Sequence, residues 1–133
     1  IDINKNEILS IIITVLELIK KKNQAIALGS ASKNARPILE KTGIISYFDV
    51  IVDGNDVTNA KPDPEVFLNA AKALGIANEN SIVFEDSVAG VQAANIANMI
   101  SVGIGEEEIL HEAQYIFKDF TFIDVSFLEA LIN

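Results

Sequence analysis

Short apolar runs alternate along this chain with longer segments whose apolar residues recur at helical spacing, and few architectures accept that order. Ile8, Ile11, Ile12, Val15, Leu16 and Ile19 share one face of a helix expected over residues 7–22, and Lys20, Lys21 and Lys22 complement the negative end of its dipole. Residues 25–28 form a short apolar run closed by Gly29-Ser30, as a strand buried in a parallel sheet would be. The pattern then repeats. A helix over about 34–41 stops at Gly43, a strand follows at 50–52, and a second helix opens with Asp63 as N-cap and Pro64 in its first position and stops at Gly75. A strand at 81–84, a helix over about 88–97 and a strand at 100–102 come next. The tail reads as a short helix near 106–112, an edge strand at 115–117 and a last helix at 126–132. Such alternation builds right-handed βαβ units, so the expected class is α/β with a doubly wound parallel sheet.

Composition narrows what the fold can serve. The 133 residues suffice for one domain, and 50% of them are hydrophobic, enough for a sizeable core. Nineteen acidic against ten basic residues give a net charge of −9, a field that repels nucleic-acid phosphates and anionic lipid. Neither nucleic acid nor membrane is therefore an expected partner. Any phosphate site must be built locally, from backbone N–H groups and a few placed cations. No run reaches the roughly 20 apolar residues of a membrane span; the densest, 8–19, is broken by Ser10, Thr14 and Glu17. No signal-peptide pattern is present. The absence of cysteine excludes disulfides and thiolate metal sites and fits a reducing cytoplasm. The chain opens on Ile1 and not on Met, as a processed, truncated or partial chain would.

In open α/β sheets ligands bind beyond the C-terminal strand ends, and three loops occupy such positions. In Gly29-Ser30-Ala31-Ser32-Lys33-Asn34, small residues admit an anion close to the backbone, and the helix N-terminus behind them supplies N–H groups. Read as plain structure, the same loop is a strand-to-helix turn with a Ser or Asn cap. In Ala60-Lys61-Pro62-Asp63-Pro64, Pro62 restricts Lys61 to extended geometry, so its ammonium could be held over a transferring phosphoryl group. The alternative is a surface lysine beside a strong helix start. In Phe84-Glu85-Asp86-Ser87, two carboxylates end a buried strand, a costly arrangement unless they are solvated or bind a cation, for which Mg²⁺ is the natural choice. Otherwise Asp86 or Ser87 simply caps the next helix. Taken together, an anion cradle, a lysine and a carboxylate pair are the parts of metal-assisted phosphoryl transfer.

The blocks Leu28-Gly29-Ser30-Ala31-Ser32-Lys33-Asn34, Lys61-Pro62-Asp63-Pro64-Glu65-Val66-Phe67 and Phe84-Glu85-Asp86-Ser87-Val88-Ala89-Gly90-Val91-Gln92-Ala93-Ala94 resemble the haloacid dehalogenase-like superfamily, and within it the β-phosphoglucomutase family. The similarity runs from about residue 15 to residue 105, with a tail to 133. It implies a Rossmann-like core in which Ser30 and the Ala31 backbone bind the transferring phosphoryl group while Lys61 balances its charge. Glu85 and Asp86 would hold Mg²⁺, Asp86 directly. Ser32, Lys33 and Asn34 would grip a second phosphate on the sugar, which a mutase needs and a simple phosphatase does not. The implied activity is interconversion of β-glucose 1-phosphate and glucose 6-phosphate through an aspartyl-phosphate. The alternatives are a phosphatase of a small phosphorylated metabolite, or a non-catalytic module that binds phosphate and Mg²⁺.

One departure is large. The family's N-terminal Asp-x-Asp motif, which carries nucleophile and acid–base, does not occur here, since Asp2 is followed by Ile3 and Asn4. The helical cap that follows the motif is also absent. On this resemblance residues 1–14 are the end of the cap or the return linker, and 15–133 are a partial core lacking its central strand. These residues alone are then expected to be inactive, and to need the missing segment or a partner chain to complete the sheet. His111, the one histidine, has no partner cluster and is expected on the surface. Tyr47 and Phe48 are expected to pack and not to stack on a sugar.

Overall fold

The computed structural model describes residues 5–30 and 33–132, with side chains of the first helix from Ser10 onward. The elements run α1 (Lys5–Lys21), β1 (Ala27–Gly29), α2 (Ala35–Thr42), β2 (Val50–Val52), α3 (Glu65–Leu74), β3 (Ile82–Glu85), α4 (Val88–Ile96), β4 (Ile100–Ile104), β5 (Tyr115–Phe117) and α5 (Val125–Ile132). The alternation expected from periodicity is present, with most boundaries moved by a residue or two. Three single 3-10 turns, Ile45–Tyr47, Asn78–Asn80 and Phe120–Phe122, are too short to show a period in the sequence.

Local chemistry sets the helix ends. Pro37 sits in the first turn of α2, where its missing N–H removes no intrahelical bond. Helix α2 ends on Gly43 at φ 77° and α3 on Gly75 at φ 71°, the left-handed conformation in which a Cβ would be strained. Helix α3 begins at Glu65, with Pro64 at its boundary. The expected capping contact is made by Asp63, whose Oδ1 accepts from Glu65 N–H at 2.9 Å.

All strand pairings are parallel, but the sheet is in two pieces. β1 pairs with β2, with Leu28 opposite Ile51. β3 pairs with β4 and β4 with β5, with Phe84 opposite Val102 and Gly103 opposite Ile116. Among the described residues no strand joins β1 to β3. The pieces are held by what packs across them. Helix α3 lies on β1 and β2, α4 on β3 and β4, and the two helices touch each other. One cluster including Val52, Val66, Phe67, Val83, Ala93 and Ala94 therefore joins both halves. Ala93 and Ala94 are fully buried, and their small side chains let α4 approach the sheet closely. Helix α1 also ties the halves, contacting the turns at Ile45–Tyr47 and Phe120–Phe122, and Lys22 just after it pairs with Glu129 of α5 at 2.9 Å.

One expected element does not form. Residues 106–112 are turns and not a helix. Leu110 alone is deeply buried there, and its N–H donates to Glu106 O at 2.9 Å. A single anchored turn gains too few hydrogen bonds to offset helix nucleation, and Glu106, Glu107 and Glu108 are exposed like charges. Tyr47 and Phe48 are half-buried, with the Tyr47 hydroxyl donating to Glu17 at 2.9 Å, and His111 is exposed. No helix among the described residues is long and apolar enough to cross a membrane.

Candidate active site

The split in the sheet is also a groove. A cavity of about 470 Å³ lies between the C-terminal ends of β1 and β3, lined by Gly29, Ser30, Lys61, Glu85 and Asp86, with Ile38 and Phe120 on its apolar walls. Lys61 crosses it. Its Nζ donates to Glu85 Oε2 at 2.8 Å and to Gly29 O at 3.4 Å, and it sits 4.9 Å from the centre of the Phe67 ring. The Lys61–Pro62 peptide is cis. The side chains of Lys61 and Glu85 are 17% and 12% exposed, so their ion pair is shielded well beyond a surface one. Glu85 Oε1 accepts from Asp86 N–H and from the Ser87 hydroxyl, each at 3.3 Å. Ser87 also caps α4, its Oγ accepting from Gly90 N–H at 3.0 Å. Asp86 is exposed at the groove. Ser30 N–H donates to Val52 O at 2.9 Å, which extends the β1–β2 pairing by one residue. Lys33 and Asn34 are exposed at the start of α2 and do not line the cavity. Ala31 and Ser32 lie outside the described residues.

Several supporting residues carried no assigned role in the sequence. Glu65 accepts from Thr58 N–H at 2.6 Å and from Asn59 N–H and Nδ2, both at 3.2 Å, just before the lysine loop. Asp53, buried at the end of β2, accepts from Arg36 at 2.8 Å and from Asn55 N–H at 2.9 Å. The Asn55 N–H and then the Arg36 charge hold its carboxyl below the usual value of 3.8, against burial, which acts the other way. Gly90 leaves the slot that Glu85 fills: a Cβ there would lie 1.9 Å from Glu85 Cγ. The only sequence signal for Glu65 and Gly90 is their place inside the resembling blocks.

Residues 3–104 match the family described as haloacid dehalogenase-like hydrolase, which is more than half of the chain. The chain belongs to that family. Among curated members it is 36% identical over 100 residues to the β-phosphoglucomutase of Bacillus subtilis, covering 75% of this chain and 44% of that one. It is 40% identical over 86 residues to a phosphorylated carbohydrates phosphatase of Thermotoga maritima, covering 63% and 40%. Among solved structures it superposes on a β-phosphoglucomutase of Clostridium difficile with TM-score 0.90 and 40% identity, covering 98% of this chain and 59% of that one. The chain thus spans less than two thirds of the relatives it matches.

Glu85 and Asp86 fit a Mg²⁺ site of the open kind, in which one or two carboxylates are completed by water and phosphate oxygens. Both line the groove, and Asp86 is exposed there. They do not make a closed cage. Among the described residues no group of three or more His, Cys, Asp or Glu could hold a metal. Such a haloacid dehalogenase-like site would need further oxygen donors from substrate, solvent or another segment.

Proposed function

We propose that this chain is the phosphate- and metal-binding part of a β-phosphoglucomutase-like phosphomutase. The observation that carries this reading is the convergence of Ser30, Lys61 and the Glu85–Asp86 pair on one groove at the C-terminal strand ends. Ser30 with its hydroxyl and Ala31 with its backbone N–H bind the transferring phosphoryl group, as the family resemblance implies. The Lys61 ammonium balances the charge that gathers on the phosphoryl oxygens. Ser32, Lys33 and Asn34 hold a second phosphate of the sugar. Glu85 and Asp86 hold Mg²⁺, which when bound supplies Lewis-acid stabilisation of the phosphoryl oxygens. Residues 1–14 lead from a cap into a core formed by 15–133, and location in the cytoplasm is consistent with the absence of cysteine.

The nucleophile completes the reading. Among the described residues β1 and β3 each have one edge without a strand partner, and under this reading an added parallel strand in the groove pairs with both. In the proposed enzyme that strand carries the aspartate that is phosphorylated and then transfers the group between the 1- and 6-oxygens of β-glucose phosphate. The strand comes from another segment of the same protein or from a partner chain.

A phosphatase of small phosphorylated metabolites is the second reading, favoured by the 40% identity to the Thermotoga phosphatase. Incubating the complete protein with β-glucose 1-phosphate and Mg²⁺ separates them. Formation of glucose 6-phosphate is expected. Inorganic phosphate without glucose 6-phosphate would replace the mutase by the phosphatase, and binding without turnover would reduce the protein to a phosphate- and Mg²⁺-binding module.

A further inference from the structure

We propose that Glu65 is a positioning residue for Lys61, a role that rests on the phosphoryl-transfer reading and adds a further group to it. Glu65 is the first residue of α3, and its carboxylate turns back onto the loop that precedes the helix. Oε2 accepts from Thr58 N–H at 2.6 Å, and Oε1 accepts from Asn59 N–H and Nδ2 at 3.2 Å. One side chain therefore closes a loop with Lys61 inside it. Two contacts between nearer neighbours in the chain tighten the same loop: Asp63 N–H donates to Ala60 O at 3.1 Å, and Glu65 N–H to Asp63 Oδ1 at 2.9 Å.

The clamp joins a rigid body to a flexible side chain. The residues after Glu65 anchor α3 in the core, with Val66 3% and Phe67 8% exposed. A lysine ammonium rides on a four-carbon stem, so where it points depends on where its backbone is held. Here the ammonium sits 4.9 Å from the centre of the Phe67 ring and reaches both Gly29 O and Glu85 Oε2. Thr58 and Asn59 are exposed, so water could satisfy their N–H groups if Glu65 were removed. The carboxylate is thus not required to prevent a buried unsatisfied group. It fixes the path of residues 58–61 relative to α3, and with it the reach of Lys61.

The test is a double-mutant cycle in the complete protein, read as kcat/KM with β-glucose 1-phosphate and as phosphate release from a simple aryl phosphate. Glu65→Ala is expected to lower kcat/KM roughly 10- to 100-fold, the size of effect that an ångström-scale misplacement produces. In a Lys61→Met background the same change is expected to alter the residual rate less than about twofold, because the group it positions is gone. Glu65→Gln, which keeps one acceptor oxygen, should recover part of the loss. Equal losses in both backgrounds, or no loss with Lys61 present, would overturn the assignment.

Crystals of Glu65→Ala give a readout that does not depend on turnover. Lys61 Nζ should leave its 2.8 Å contact with Glu85. Retention of that contact sinks the positioning role even if the enzyme is active. A complete protein with no phosphoryl transfer at all, or a Lys61→Met variant of full activity, fails the functional reading, while the Lys61 position still decides whether Glu65 is its clamp.

Discussion

Replacing Gly90 by alanine sets two opposed effects against each other, and the structure gives the size of both. Gly90 is the third residue of α4 and is buried. A Cβ there would sit 1.9 Å from Glu85 Cγ, 2.1 Å from Cδ and 2.5 Å from Oε2. All three atoms belong to one side chain, so the clash can be relieved by swinging Glu85 away without moving backbone. Alanine itself favours the helix by at most about 1 kcal/mol over glycine. Against that, the displaced Glu85 abandons Lys61 at 2.8 Å and the donors Asp86 N–H and Ser87 Oγ–H. Exposed ion pairs contribute about 0–1 kcal/mol, and breaking fully buried ones costs about 3–5 kcal/mol. A pair whose side chains are 17% and 12% exposed falls between, near 2 kcal/mol. The net destabilisation is then about 1 kcal/mol, a fall in Tm of roughly 3–5 °C for a domain of this size. Activity should respond far more strongly, because the carboxylate and the lysine lose their positions together, and kcat/KM should drop about 100-fold. The assay pairs a thermal melt with steady-state turnover in the complete protein, with Gly90→Ala made alone and with Glu85→Ala. The double variant should be no worse than Glu85→Ala. Wild-type turnover in Gly90→Ala, or a fall in Tm of some 15 °C from backbone that could not adapt, would refute the slot argument.

Other expectations follow from the same geometry. Lys61→Met leaves Glu85 without its cation in a shielded site, so stability should fall by about 1–3 kcal/mol and turnover should drop to a small residual rate; wild-type turnover in this variant removes Lys61 from the chemistry. Asp53 has a lowered carboxyl pKa, set first by Asn55 N–H and then by Arg36, so its contribution to stability is complete above the usual 3.8 and disappears as pH falls through the lower folded value. The urea midpoint of Asp53→Asn should therefore fall less steeply below pH 3.8 than that of the parent, with a residual slope from Asp49 and Asp119, whose pKa values are also lowered. Equal slopes would show that Asp53 does not titrate with unfolding. Ser101 is fully buried outside the groove, where its hydroxyl donates to Asn95 Oδ1 at 2.7 Å. Ser101→Ala should cost about 1–2 kcal/mol in a denaturation curve and leave kcat/KM unchanged.

The sequence disclosed the fold where a period was long enough to see. Val66, Phe67, Ala70 and Ala71 mark the buried face of α3, and short apolar runs mark strands covered by helices. It failed at residues 106–112, where an acidic stretch resembled a first helical turn but only Leu110 anchors it. The groove residues Ser30, Lys61, Glu85 and Asp86 stood out in the sequence because Ser30, Glu85 and Asp86 lie at the C-terminal ends of strands, where an α/β sheet binds ligands, and Lys61 stands in the loop just before a helix start. Their supports were not. Glu65 had no signal beyond its place in a resembling block, because its carboxylate faces back along the chain to amides that sequence spacing does not single out. Gly90 had no signal beyond its block either, because its reason is a side chain on the preceding strand. Such roles arise from where two elements meet, which no single segment encodes.

The division of the sheet and the placement of the chemistry have one cause. Ser30 follows β1, Glu85 ends β3, and Lys61 reaches both sides by contacting Gly29 O and Glu85 Oε2. The carbonyl and carboxylate that bind Lys61 thus belong to strands that do not pair with each other. Their separation is maintained from one face, where α3 and α4 pack side by side and share a core with both halves of the sheet. Whatever strand occupies the groove would satisfy the facing edges and bring its own C-terminal end to the lysine and the carboxylates. Under the proposed function this is the arrangement that lets a nucleophile enter already aligned, because the pairing that completes the sheet also sets its register against the phosphate loop. Widening the groove by loosening α3 from α4 should therefore weaken catalysis even with every polar residue intact.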